Sequence, residues 1–169
     1  SLAQLKHLTR LHIYRRLAED ADLGVLEGVP LEELHLISVS PTNTENLGRL
    51  KTLTSVHQIA WFQRGDAYGF LLELPSLRKL RVTPALLTLW TIAELAVIGR
   101  APVTSLSLDY LTDSDLKVLS EAPFRSTVTD LSLRCGEAFR DRDAMARLAA
   151  GCQRLQSLHL RTDKSMTVC

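Results

Sequence analysis

The residues best equipped for chemistry are the histidines. Four of the five, His12, His35, His57 and His159, follow an apolar residue at the same step of a recurring phrase. Imidazole can ligate a metal, carry a proton near neutral pH, or offer a flat apolar body with a polar edge. The first use is not expected here. The His-x-His and Cys-x-x-Cys spacings of strong zinc motifs are absent, and the sequence places no carboxylate or thiol clearly beside the histidines. A proton switch is also disfavoured, because neighbouring imidazoles and Arg81 suppress one another's charge. Nucleophilic chemistry fares no better. Cys152 and His159 are close in sequence, yet a helix-to-strand turn and an open strand face would point them apart. Cys135 and Cys152 read as small buried fillers. The chain has no glycine-rich phosphate loop, no GxSxG and no HExxH, so no enzyme activity, cofactor or metal is expected.

What positions the histidines is a repeat. Seven segments read apolar-x-x-apolar-x-apolar, from Leu8-Thr9-Arg10-Leu11-His12-Ile13 to Leu155-Gln156-Ser157-Leu158-His159-Leu160, with one break at Gln58. The central apolar anchors are residues 11, 34, 56, 80, 106, 131 and 158, at steps of 23, 22, 24, 26, 25 and 27. Leucine supplies 33 of 169 residues, while aromatics make up 5%. A single such unit cannot bury its leucines, but stacked units bury each other's.

The pattern resembles the leucine-rich repeat family over nearly the whole chain. Leu111-Thr112-Asp113-Ser114-Asp115-Leu116 and Leu148-Ala149-Ala150-Gly151-Cys152-Gln153-Arg154-Leu155 are similar to phrases of its cysteine-containing subclass, found in F-box proteins. The resemblance implies an α/β fold: a right-handed solenoid of about seven repeats, with a parallel sheet on the concave side and short helices and loops on the convex side. It implies one domain over residues 1–169. Because the chain starts at Ser1, we expect a piece of a longer protein. Ala18 to Leu26, Ala67 to Glu73, Asp113 to Ser120 and Arg142 to Ala150 can form short helices. Thr112 is an N-cap candidate with Asp115 three residues on, and Gly151 is a stop signal. Ser38 to Asn46 reads as an irregular loop.

Alternation along a strand lists the outward side chains. The central column is His12, His35, His57, Arg81, Ser107, Ser132 and His159. The column before it is Arg10, Glu33, Ser55, Lys79, Ser105, Asp130 and Ser157. The column after it is Tyr14, Ile37, Ile59, Thr83, Asp109, Arg134 and Arg161. Two readings stand: a recognition face, or outward positions that simply tolerate polar residues. On the first, His12, His35, His57, Arg81, Arg134, His159 and Arg161 bind a partner, with Tyr14, Ile37 and Ile59 as apolar anchors.

Pro84 to Gly99, read as one helix, is apolar nearly all round, interrupted only by Thr88, Thr91 and Glu94. It falls short of the roughly 20 residues a membrane helix needs. Leu89, Trp90 and Ile92 would form a second docking surface, or the helix would be buried by the Trp61-Phe62 and Phe70-Leu71-Leu72 segments.

Composition bounds the partner. The formal net charge is +1, without the basic excess of a nucleic-acid or membrane-surface binder. Three cysteines without pairing signals point to an intracellular compartment. The expected function is non-catalytic binding of another protein. The alternatives are the substrate-recognition arm of a ubiquitin ligase and a structural subunit of an RNA–protein assembly. Neither end reads as a solenoid cap, so more chain or a partner should cover at least one end.

Overall fold

A computed structural model describes residues 4–14, 22–39, 46–60, 68–84, 90–136 and 141–162, with all side chains there except those of Ser38, Val39, Ile59, Ala60 and Arg142. Seven strands, β1 (Arg10–Ile13), β2 (Glu33–Val39), β3 (Ser55–Ala60), β4 (Lys79–Thr83), β5 (Ser105–Leu111), β6 (Asp130–Cys135) and β7 (Ser157–Thr162), form one sheet in chain order. Every pairing is parallel. The α/β class and the parallel sheet expected from the sequence are therefore present, and each strand begins at the third residue of its phrase.

The apolar alternation drives this arrangement. Leu34, Val56, Leu80, Leu106 and Leu131 stand in register and are buried, as are Leu36, Val82, Leu108 and Leu133 in the next inward row. Each fully buried leucine is worth about 1.5–3 kcal/mol relative to exposure, so the ladders fix the register. A backbone device repeats with them. The carbonyl of the residue just before each of β1 to β6 accepts two N–H groups from the entry of the next strand. Thr9, Glu32, Thr54, Arg78, Thr104 and Thr129 all do this, at 2.7–3.0 Å. The Thr54, Thr104 and Thr129 hydroxyls donate to the preceding member of that same series. This gives the recurrent Thr in these phrases a structural role at the strand entry.

The return segments differ along the chain. Among the described residues, the returns of the first three periods contain 3₁₀ turns at Leu23–Leu26, Leu47–Arg49 and Gly69–Glu73. The later ones use α1 (Ile92–Ile98), α2 (Asp113–Leu119) and α3 (Arg142–Gly151). The longer steps of 26, 25 and 27 residues thus accompany α-helices. Of the helices expected over Ala18 to Leu26 and Ala67 to Glu73, the described parts are the 3₁₀ turns Leu23–Leu26 and Gly69–Glu73, while residues 18–21 and 67 lie outside the described residues. Thr112 caps α2 in a full capping box with Asp115. Gly151 is the last residue of α3 rather than the stop beyond it, and Cys152 is the C-cap. A Cβ there would meet the Arg125 side chain, which would have to shift. No helix among the described residues is long and apolar enough to cross a membrane.

The segment 84–99 departs most from expectation. Residues 85–89 lie outside the described residues; in the described part a helix spans Ile92–Ile98, with Thr91 as N-cap and Glu94 completing a capping box. Trp90 precedes the helix and is 7% exposed. Its indole Nε1 donates to the Asp109 carbonyl at 3.0 Å, and its ring lies 6.2 Å from that of Tyr68. Trp90 is therefore a core residue and not part of a docking surface. Ile92 is 73% exposed. Leu89 and the Trp61-Phe62 pair lie outside the described residues, as do positions 40–45 of the expected loop.

Candidate functional site

The outward column falls into the expected order. His12 pairs with His35, His35 with His57, His57 with Arg81, Arg81 with Ser107, and Ser132 with His159. Ile37, Ile59 and Thr83 align across β2 to β4, and Arg134 aligns with Arg161 across β6 and β7. The Ile59 side chain lies outside the described set. Tyr14 follows β1 and is 67% exposed. His12, Arg81, His159 and Arg161 are exposed, while His35, Ile37, His57 and Arg134 are half-buried.

The first three histidines are in mutual contact. The His12 and His35 rings stack at 4.0 Å with 8° between planes, and His57 meets His35 edge-on at 4.9 Å. Burial holds the His57 imidazole below its ordinary pKa, reinforced by the Arg81 and His35 charges. Its Nε2 is buried and has no hydrogen-bond partner among the described residues. The suppression of charge expected from the row is thus present at His57, with burial as its leading cause.

One expectation fails. A carboxylate does stand beside the histidines. Glu33 lies two residues before His35, on the same strand face. Its Oε1 is 2.8 Å from His35 Nε2 and 3.6 Å from His12 Nε2. The Tyr14 hydroxyl holds the other ring nitrogen of His12, Nδ1, at 3.0 Å. Glu33 stood in the outward column from the start. The i, i+2 relation to His35 was the available signal.

Farther along, Asp109 was expected to point outward but is 7% exposed. Thr83 Oγ1 donates to its Oδ2 at 2.7 Å, and Arg81 approaches the same oxygen at 3.7 Å. Both partners belong to the outward columns, so Asp109 keeps its outward place and is covered by them, beside a bulge between Leu108 and Leu111. At that bulge Tyr110 adopts φ 61°, a left-handed conformation that costs a non-glycine residue about 1–3 kcal/mol. The turn brings its ring beneath the Arg134 guanidinium, 4.9 Å from the centroid, a cation–π contact. Neither Asp109 nor Tyr110 could be assigned this role from alternation alone, because a bulge breaks the period of two.

Two shallow grooves lie along the strand entries and share Lys79. One, of about 380 Å³, includes Arg10, Glu33, Ser55 and Arg78. The other, of about 400 Å³, includes Ser105, Ser107, Asp130, Ser132 and His159. The small serines of the second groove leave its backbone approachable. Burial raises the Cys152 thiol above its ordinary pKa and pushes Cys135 up to about 11, so neither is poised as a thiolate nucleophile.

Compared with known proteins, the chain matches no protein-family model and no curated protein.

Proposed function

We propose that this chain is a right-handed leucine-rich repeat solenoid that works as a non-catalytic protein-interaction module, binding its partner across the outward face of the sheet. The supporting observation is the in-register row from His12 to Arg81, exposed or half-buried along its length, while the alternate row is buried from β2 to β4. Parallel crossovers in one sheet are right-handed in about 98% of cases. The strict chain order of the strands is what stacking of a repeated unit produces.

The chemistry of the face suits a partner that is both apolar and acidic. Tyr14, Ile37 and the imidazole bodies supply apolar area, and Arg81, Arg134 and Arg161 supply positive charge. These groups stand on a preformed sheet, so little ordering is needed on binding. The last strand leaves Leu158 39% and Leu160 48% exposed. In this reading a partner or further chain covers that end.

The test is a pull-down from cell extract, with cross-linking read by mass spectrometry. It compares the chain with the triple variant Arg81→Glu, Arg134→Glu, Arg161→Glu, after circular dichroism confirms both fold. An Ile92→Glu variant serves as the control on the helix side. We expect a partner cross-linked to the sheet face, lost with the triple variant and kept with the control. A partner set unchanged by the triple variant refutes the reading.

A further inference from the structure

We propose that His12, Glu33 and His35 form a binding site for a divalent cation of the zinc class. The inference rests on their geometry and is independent of the protein-binding reading. The in-register pairing of β1 and β2 sets His12 beside His35, and the two-residue period puts Glu33 on the same face. One ligand atom from each of the three lies within 4.8 Å of the other two. The closest separations, 2.8 and 3.6 Å, both end on Glu33 Oε1. Zinc bonds nitrogen at about 2.0–2.1 Å and carboxylate oxygen at about 2.0–2.2 Å, so tetrahedral ligands stand roughly 3.4 Å apart. The separations bracket that figure. In the stacked arrangement the two imidazole planes are parallel, so metal binding requires one ring to turn until both in-plane Nε2 lone pairs meet at the ion.

A second observation points the same way. Metal-bound imidazole normally has its other ring nitrogen engaged by a polar group, which fixes the tautomer and the aim of the ring. His12 has this arrangement, with Nδ1 on the Tyr14 hydroxyl and Nε2 facing Glu33. Two imidazoles and one carboxylate suit zinc and similar ions over calcium or magnesium, which prefer sets of oxygen ligands. The side chains of His12, Glu33 and His35 are 36%, 32% and 27% exposed. Three protein ligands at an accessible surface leave a coordination position for water or for an incoming group. Binding would replace the close His35 Nε2–Glu33 Oε1 contact, and any proton displaced from the ligands passes to buffer.

The experiment is isothermal titration calorimetry of the tag-free chain with zinc chloride at neutral pH, with magnesium chloride and calcium chloride as controls. One zinc per chain is expected, with no comparable magnesium or calcium binding. The variants His12→Ala, His35→Ala and Glu33→Gln should each weaken zinc binding tenfold or more. Tyr14→Phe, a positioning change, should weaken it less. Zinc affinity unchanged within twofold in a folded His12→Ala/His35→Ala protein would overturn the proposal, as would absence of stoichiometric binding to the parent chain. A second measurement needs no variant. The cobalt(II)-loaded parent should show tetrahedral ligand-field bands without thiolate charge transfer. Thiolate bands would place the metal on cysteine and defeat the assignment.

Discussion

Gln58 occupies a place that Ile13, Leu36, Val82, Leu108, Leu133 and Leu160 fill in the other strands. It is 1% exposed, and neither its amide nitrogen nor its amide oxygen has a hydrogen-bond partner among the described residues. A buried polar group left unsatisfied costs about 1–3 kcal/mol. Gln58→Leu should therefore raise unfolding stability by about 1–3 kcal/mol in denaturant titration, since leucine fits a row of aliphatic neighbours. No gain would mean that water satisfies the amide. The sequence marks Gln58 as the one break in the repeat, but only the packing shows that the strand keeps its register and takes the amide inside. Cys135 sits in a comparable setting, 2% exposed with its thiol pushed up to about 11. Its thiolate fraction at pH 8 is then roughly a hundredfold below that of an ordinary cysteine. Alkylation of Cys135 by iodoacetamide at pH 8, followed by peptide mass spectrometry, should be slower by at least that factor in the folded chain. Denaturation should abolish the difference.

At the scale of elements, side-chain caps begin the helices. Thr91 with Glu94 and Thr112 with Asp115 form capping boxes, and Asp141 Oδ1 accepts from the Ala144 N–H. In the second box Asp115 Oδ2 accepts from both the Thr112 N–H and its hydroxyl, each at 2.8 Å. Thr112→Ala should cost about 1 kcal/mol, read as a lower denaturation midpoint, whereas Thr112→Ser should be nearly neutral. Equal losses would show that the threonine methyl, and not the cap, matters there. The box at Thr112 was legible because polar residues frame it. The box at Thr91 was not, because the apolar run from Leu86 to Ile98 gives no periodic sign of where a helix starts. The contact found at that boundary is distant in sequence: the Trp90 indole, one residue before the N-cap, donates to the Asp109 carbonyl in the core. The same holds at Asp109 and Tyr110. Alternation predicts both faces of a regular strand, and the bulge after Leu108, with the contacts that cover Asp109, is a tertiary event.

For the molecule as a whole, strand order governs stability. Each strand hydrogen-bonds only to its neighbours in sequence, from β1 to β7. Cohesion is then close to a sum of unit stabilities and nearest-neighbour interfaces, and units at the ends have one interface instead of two. Burial follows that logic. In β4 to β6 the inward side chains are buried, whereas Leu158 and Leu160 of β7 stay exposed and Leu11 and Ile13 of β1 are only half-buried. Stability should accordingly be graded along the sheet. In native-state hydrogen exchange, amides of β3 to β5 should open with the highest free energy, and those of β7 and β1 with lower ones. Leu133→Ala should widen the gradient, because it removes the contact that supports β7 from inside while β2 to β4 keep their own interfaces. Loss of a buried leucine side chain costs about 2–5 kcal/mol, and that loss should appear in β6 and β7 before it appears in β3. Uniform protection from β1 to β7, lowered equally everywhere by the substitution, would mean that the sheet unfolds as one cooperative unit and that the nearest-neighbour description of this chain is wrong.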